Sequence, residues 1–128
     1  MSDEKTCFCD ISKTYDACCG VFHSREHRPE SAVALMRSRY SAYCLGLMDY
    51  LYETMHPKTR GELLENQEMD WQGLEVISHS LGGKSDKIGK VEFKAFYQVE
   101  GKIYDMHELS KFKRHKGVWV YVDGAQFE

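Results

Sequence analysis

Four of the five cysteines in this chain lie in one short stretch near its start, CFCDISKTYDACC. They form two close pairs, Cys7 with Cys9 and Cys18 with Cys19, and the residues around them are mostly polar. This stretch has few large apolar side chains with which to build a core. The way in which the four thiols are joined therefore decides how the first part of the chain folds.

The spacing of the thiols favours a metal site. A disulfide within either pair would be strained, because its two residues are adjacent or nearly so. A zinc ion accepts ligands from two short arms that a loop brings together, and four thiolates leave it no open position for catalysis. The pattern predicts a structural zinc ion held by Cys7, Cys9, Cys18 and Cys19. Free thiols or a thiol redox switch are the alternative.

The segment that follows the cysteines, HSREHRPE, is predicted to be a solvated linker. His23 and His27 have the spacing of two ligands on a helix, but four cysteines already suffice and Pro29 is close by. Zinc with four thiolates carries a net negative charge, so nearby donors such as Arg25 are expected to offset it.

The composition narrows the classes of function. With 42% hydrophobic and 29% charged residues the chain is typical of globular proteins, and a net charge of −3 gives no general attraction to nucleic acid. No stretch approaches the ~20 apolar residues that cross a bilayer, and no secretory leader is recognisable. We therefore expect a cytoplasmic protein without membrane insertion, whose thiols stay reduced.

Helical periodicity marks the middle of the chain, from SAVALMRSRYSAYCL onward. Ser31 can cap the first helix, Gly46 ends or bends it, and His56-Pro57 closes the helical region. A further short helix is predicted over residues 60–66. Cys44 is expected to be a small buried apolar residue on a helix face.

After Trp71 the pattern changes to the period of two that is typical of half-buried strands. Glu100-Gly101 and Lys116-Gly117 are candidates for tight turns. Strands are predicted over residues 88–99, 102–115 and 118–122, which form an antiparallel meander. A further strand is predicted over residues 74–80, with GGKSDK as an exposed turn after it. Helices followed by strands indicate an α+β domain whose sheet curls around the helices.

The cysteine pattern resembles the SEC-C motif, the zinc-binding element named from the SecA translocation ATPase. With ALMRSRYSAYCLGLMDYLYETMHP and HELSKFKRHKGVWVYVDG, nearly the whole chain resembles the YchJ family. The resemblance implies a SEC-C zinc knuckle over residues 1–28. A nuclear transport factor 2-like (NTF2-like), cystatin-like cone over residues 29–128 would follow, with helices packed in the concave face of a curved antiparallel sheet.

The chain departs from the family pattern between the two cysteine pairs. The family usually has Gly-Ser-Gly where this chain has Asp10-Ile11-Ser12. Glycine eases a left-handed turn and Asp10 tolerates one less well, which predicts a reduced zinc affinity.

Two arginines in MRSRYSAY are candidates for binding. Arg37 and Arg39 lie on different faces of the helix, so one of them points inward more easily. An inward arginine is expected to pair with a carboxylate such as Glu108 or Asp49, and an anion-binding group at the mouth of the cone is the alternative. The candidate residues for a ligand or partner are Arg37, Arg39, Tyr50 and His56.

The basic run LSKFKRHKG is expected to form a solvated sheet edge, with a weak ribosome- or nucleic-acid-facing patch as the alternative. His107 and Glu108 precede it and should face opposite sides of their strand.

The leading hypothesis is a zinc-containing binding or adaptor protein, in which the zinc organises the knuckle and the cone binds a protein partner or small ligand. The likeness to SecA suggests protein or ribosomal partners by analogy. The alternative is a small isomerase- or dehydratase-like enzyme with Asp49, His56 and Glu108 as acid–base candidates. A large apolar pocket with a shifted carboxylate would favour the enzyme, and a cone filled by side chains would favour binding. A monomer and a homodimer both fit the pattern.

Overall fold

The computed structural model describes residues 5–10, 12–59 and 69–127 of the chain. These contain a 3₁₀ turn, Tyr15–Ala17, and the helices α1 (Gly20–His23), α2 (Ala32–Leu45) and α3 (Met48–Glu53). The strands are β1 (Asp70–Leu81), β2 (Ile88–Val99), β3 (Lys102–His115) and β4 (Val118–Gln126). The helix predicted over residues 60–66 lies outside the described residues. Every helix in the described part is too short to cross a bilayer.

The strands form one antiparallel sheet in the order β1-β2-β3-β4, which confirms the predicted meander. Both tight turns form at the predicted dipeptides. Glu100 and Gly101 have φ values of 51° and 80°, and Lys116 and Gly117 have 52° and 85°. Two consecutive residues with positive φ are what a two-residue turn needs to match the right-handed twist of the strands it joins. β1 and β4 extend beyond their predicted bounds.

Helix α2 lies in the concave face of the sheet and forms the centre of the core. Ser31 Oγ accepts a hydrogen bond from the Ala34 amide at 3.0 Å, and Gly46 ends the helix with a φ of 72°. The buried face of α2 joins the inward residues of the strands in one cluster, which includes Leu35, Met36, Tyr40, Val91, Phe93 and Ala95. Irregular pairing in β1 and near Lys111 in β3 helps to bend the sheet. The predicted α+β fold is confirmed.

The basic run does not form a sheet edge, because β3 pairs with β2 on one side and β4 on the other. Arg114 is held in place rather than solvated. Its Nε donates to Asp86 O at 2.7 Å and its Nη2 donates to Lys84 O at 2.9 Å, while its guanidinium lies 4.6 Å from the ring centroid of Trp119. Arg114 therefore anchors the loop between β1 and β2. Lys111 and Lys113 are exposed, as expected.

The predicted linker is packed at its start, so the expectation of a solvated His23 is wrong. This side chain is 8% exposed, and burial lowers its pKa, which favours the neutral ring. Nε2 then donates to Ser38 O at 2.8 Å, and Nδ1 accepts from the Tyr15 hydroxyl at 2.5 Å. His23 thus joins the cysteine segment to α2. His27 is exposed, as predicted.

Candidate functional site

The sulfur atoms of Cys7, Cys9, Cys18 and Cys19 all lie within 4.8 Å of one another. Cys9 Sγ is 3.6 Å from Cys7 Sγ and 3.5 Å from the sulfurs of both Cys18 and Cys19. A tetrahedron with Zn–S bonds of about 2.3 Å has S–S edges of about 3.8 Å, close to these separations. A disulfide would need about 2.05 Å, and all five cysteines are free thiols. The cluster can hold a metal ion.

Two local elements bring the pairs of cysteines together. A narrow hairpin carries the first pair, since the Cys7 amide donates to Lys13 O at 2.8 Å and the Tyr15 amide donates to Lys5 O at 2.9 Å. The 3₁₀ turn Tyr15–Ala17 then directs Cys18 and Cys19 back toward the hairpin. The eight residues between the pairs are therefore enough to close one loop.

Asp10 closes the hairpin without the strain that its replacement of glycine predicts. In the described residues it is not among those with positive φ. Its Oδ1 accepts from the Ser12 amide at 2.9 Å and from Ser12 Oγ at 2.6 Å. The aspartate side chain thus makes an Asx turn where the family has glycine and serine. The reduced zinc affinity stays a prediction.

The electrostatics of the cluster favour a bound cation. Interactions with the thiols of Cys19 and Cys9 hold the pKa of the Cys7 thiol far below its usual value. Hydrogen bonds to Cys7 and Cys9, followed by burial, raise the pKa of Cys19 far above its usual value. One thiol of the cluster therefore loses its proton easily. The negative charge of that thiolate, together with burial, opposes the deprotonation of a second thiol. A divalent cation removes that opposition, so four clustered thiols suit a metal such as zinc.

Helix α2 supplies the polar groups that surround the cluster. Ser41 Oγ donates to Cys19 Sγ at 3.2 Å, and Arg37 Nη1 donates to Cys9 O at 3.0 Å. Arg25, expected to serve this role, instead binds Glu53 at 2.6 Å. Sequence reasoning missed Ser41, although it lies one helical turn after Arg37 and shares its face. The knuckle and the cone therefore meet along α2.

Replacement of Ser41 by alanine is expected to weaken zinc binding by about tenfold, a typical effect of losing an outer-shell partner of a metal ligand. Competition with a chromogenic chelator measures this affinity. Ser38→Ala is the matched control, because Ser38 Oγ bonds Tyr50 and Leu35 O rather than a thiol. An unchanged affinity in Ser41→Ala would contradict a role in supporting the metal.

A second feature is a cavity of about 370 Å³ between α2 and the sheet. Its size falls in the range of small-molecule sites, ~300–1,000 Å³. The lining is mainly apolar and aromatic with a few polar groups: Met36, Arg39, Tyr40, Tyr43, Met69, Trp71, Phe93, Ala95, Met106, Glu108, Ser110, Phe112, Tyr121 and Gln126. Tyrosine and methionine side chains line the cone without filling it, so the filled cone that was expected of a binding protein is not what the structure has.

Arg39 is the inward arginine, but the expected ion pair with Glu108 or Asp49 does not form among the described residues. Its side chain is 6% exposed, and Nη1 donates to Leu51 O at 2.8 Å and to Thr54 Oγ1 at 2.6 Å. These acceptors lie at the C-terminal end of α3, where the helix dipole favours a cation. The guanidinium also lies 4.7 Å from the ring centroid of Tyr121. Neutral acceptors and a ring thus replace the carboxylate.

Glu108 lies on the cavity wall and is held by its neighbours on β3 and β4. Its Oε2 accepts from Ser110 Oγ and, at 3.4 Å, from the Tyr121 hydroxyl. Burial raises the pKa of Tyr121, so this hydroxyl stays protonated as a donor. Gly124 leaves the space for the carboxylate, because a Cβ at that position would overlap Glu108 Oε2. The carboxylate is therefore seated in the wall.

His107 lies on the opposite face of β3, as predicted, where Nε2 is 2.7 Å from Glu92 Oε2.

The remaining candidates do not reach the cavity. Asp49 is exposed in the first turn of α3. His56 Nδ1 accepts from the Lys58 amide at 3.0 Å, which is a structural role in the turn after α3.

Tyr50 is buried between helices, where its hydroxyl lies 2.7 Å from Ser38 Oγ. The structure therefore does not bring together the three acid–base candidates, since Glu108 alone of them lines the cavity. Of the four candidate binding residues, Arg39 lines it and Arg37 supports the cysteine cluster.

The fold and these two features define an α+β protein with an NTF2-like cone and a four-cysteine cluster at its N-terminal side. A family model described as the YchJ middle NTF2-like domain matches residues 31–124. The chain belongs to the YchJ family. A UPF0225 protein of Cupriavidus pinatubonensis is 43% identical, over 92% of this chain and 86% of that protein. A UPF0225 protein of Chromobacterium violaceum is 50% identical, over 84% of each.

Two solved structures have the same fold and carry the SEC-C description. The solution structure of a SEC-C motif containing protein from Rhodopseudomonas palustris is 36% identical with a TM-score of 0.83, covering 96% of this chain and 99% of that one. The crystal structure of a SEC-C motif containing protein from Psychrobacter arcticus is 28% identical with a TM-score of 0.78, covering 98% and 84%. The resemblance and fold expected from the sequence are confirmed.

Proposed function

We propose that this chain is a cytoplasmic binding protein in which a structural zinc ion ties the N-terminal knuckle to a cone that binds a small, mainly apolar ligand. The proposal that the cone binds a ligand rests on the cavity of about 370 Å³ beneath α2, which has aromatic walls and few polar groups. Four thiolates would fill the coordination shell of zinc, so the metal would serve as a scaffold.

Binding is favoured over catalysis by the positions of the titratable groups. Acid–base catalysis needs its groups within reach of one substrate, yet Asp49 and His56 lie away from the cavity that Glu108 lines. The isomerase- or dehydratase-like alternative therefore lacks its constellation among the described residues. A protein, ribosomal or nucleic-acid partner stays a prediction, as does the oligomeric state.

Filling the cavity tests the ligand hypothesis. Ala95 is buried on the inner face of β2 and lines the cavity, so Ala95→Leu would occupy part of it. Naphthalene is a suitable apolar probe, followed by NMR titration of the zinc-loaded, ¹⁵N-labelled chain. We expect saturable shifts at cavity residues in the wild type and about tenfold weaker binding in Ala95→Leu, through lost space and overpacking.

Ala34→Leu provides the matched control, because Ala34 lies on α2 outside this cavity. It should bind naphthalene as the wild type does. Absence of saturable shifts in the wild type, or equal binding by Ala95→Leu, would contradict a ligand site in the cone.

A further inference from the structure

We propose that the cavity selects a neutral, flat aromatic molecule that carries one O–H or N–H donor, which binds the carboxylate of Glu108. This inference rests on the proposed function and adds the chemical class of the ligand. Three observations support it: the arrangement of the aromatic rings, the balance of charge in the lining, and the Glu108 carboxylate oxygen that has no hydrogen-bond donor among the described residues.

The rings favour a flat ligand. Trp71 lies edge-on to Tyr40, with ring centroids 5.9 Å apart, and Phe112 lies edge-on to Tyr121 at 5.7 Å. All four rings line the cavity, so a flat guest would contact aromatic side chains on its walls. Aromatic guests gain from such offset and edge contacts in addition to the area they bury.

The charges favour a neutral ligand. The described lining contains one arginine and one glutamate, so its formal charges cancel. Arg39 is already committed to Leu51 O, Thr54 and the face of Tyr121. An anionic guest would meet Glu108 and a cationic guest would meet Arg39, and either would lose its hydration in an apolar cavity.

The hydrogen bonds of Glu108 indicate that the polar group of the ligand is a donor. Glu108 receives the hydroxyls of Ser110 and Tyr121 on Oε2, while Oε1 has no hydrogen-bond partner among the described residues. A carboxylate is an acceptor on both oxygens, and no fully buried side-chain oxygen among the described residues lacks a partner, so Oε1 is accessible to a donor that enters from outside. A ligand O–H or N–H placed against Oε1 would complete the shell of the carboxylate.

A pair of probes tests this class without a variant. 2-Naphthol carries the donor, and 2-methoxynaphthalene has the same rings without it. By NMR titration of the zinc-loaded chain at neutral pH, 2-naphthol should bind about tenfold more tightly, as expected for a hydrogen bond to a charged group. 2-Naphthoate, which is anionic, should bind more weakly than 2-naphthol.

Glu108→Gln should bring the two neutral probes to within about threefold of each other, because the amide is a weaker, uncharged acceptor. Glu92→Gln is the control, since Glu92 faces the other side of the sheet and contacts His107. It should keep the wild-type preference.

The outcomes separate the two proposals. Equal binding of 2-naphthol and 2-methoxynaphthalene in the wild type, or a preference that survives Glu108→Gln, overturns the donor class and leaves the ligand cavity standing. Tighter binding of 2-naphthoate than of 2-naphthol overturns the proposal of a neutral ligand and favours an anionic ligand bound by Arg39. Failure of every probe to bind overturns the ligand function together with this inference.

Discussion

Replacement of Cys19 by serine is expected to abolish zinc binding and to lower the free energy of unfolding by about 3 kcal/mol or more. A bound ion stabilises a protein by about this amount when its free concentration is far above its dissociation constant. Cys19 is 1% exposed, and its sulfur lies within hydrogen-bond distance of Cys9 and Ser41. A serine oxygen cannot replace the thiolate, so three cysteines would remain around a poorer site. Native mass spectrometry with and without chelator measures the zinc, and thermal unfolding measures the stability.

Cys44 provides the matched control for this experiment. It is the fifth cysteine, half-buried beside Tyr40, and does not belong to the cluster. Burial raises the pKa of its thiol to about 11, so it behaves as a small, protonated core group. Cys44→Ser should retain one zinc per chain. A Cys19→Ser protein that keeps its zinc, or a wild type that carries none, would refute the four-cysteine site.

Replacement of Arg39 by alanine is expected to lower the free energy of unfolding by about 3 kcal/mol, because it removes a buried side chain and its hydrogen bonds together. The carbonyl of Leu51 and the hydroxyl of Thr54 would lose their shared donor, and Tyr121 would lose the cation over its ring. Urea unfolding of the zinc-loaded protein measures the change.

Two further variants make the Arg39 result specific. Arg39→Lys should recover part of the loss, since an ammonium can donate to the same oxygens but cannot stack on Tyr121 as a planar group. Arg28→Ala removes an exposed arginine and should change the stability by less than about 0.5 kcal/mol. An Arg39→Ala protein as stable as Arg28→Ala would show that the buried guanidinium contributes nothing.

Local chemistry explains which parts of the fold could be predicted. The cap at Ser31, the stop at Gly46 and the two tight turns each depend on a residue and its immediate neighbours, and each forms where predicted. The grouping of the four thiols belongs to the same class, because a short loop is enough to bring them together. Period-two alternation likewise placed Val91, Phe93 and Ala95 on the buried face of β2.

The predictions were wrong where the partner of a residue lies far from it in the sequence and several candidate partners exist. His23 looked like part of a linker, but a carbonyl on α2 and the Tyr15 hydroxyl bury it. Arg39 was expected to meet a carboxylate, and the end of α3 presents oxygens nearer to it. Composition alone cannot rank such partners, because hydrogen bonds to neutral and charged acceptors differ by only about 1–2 kcal/mol.

The order of elements, the turns and the grouping of the four cysteines could all be read from the amino-acid sequence, since each depends on spacing along the chain. Only the tertiary structure shows that Arg114 is held by the loop between β1 and β2 and that Ser41 supports the cluster. It also decided that a cavity remains under α2 with Glu108 on its wall. Cavities and buried partners depend on how far separate elements approach each other, and that separation is set by the packing of all their side chains at once.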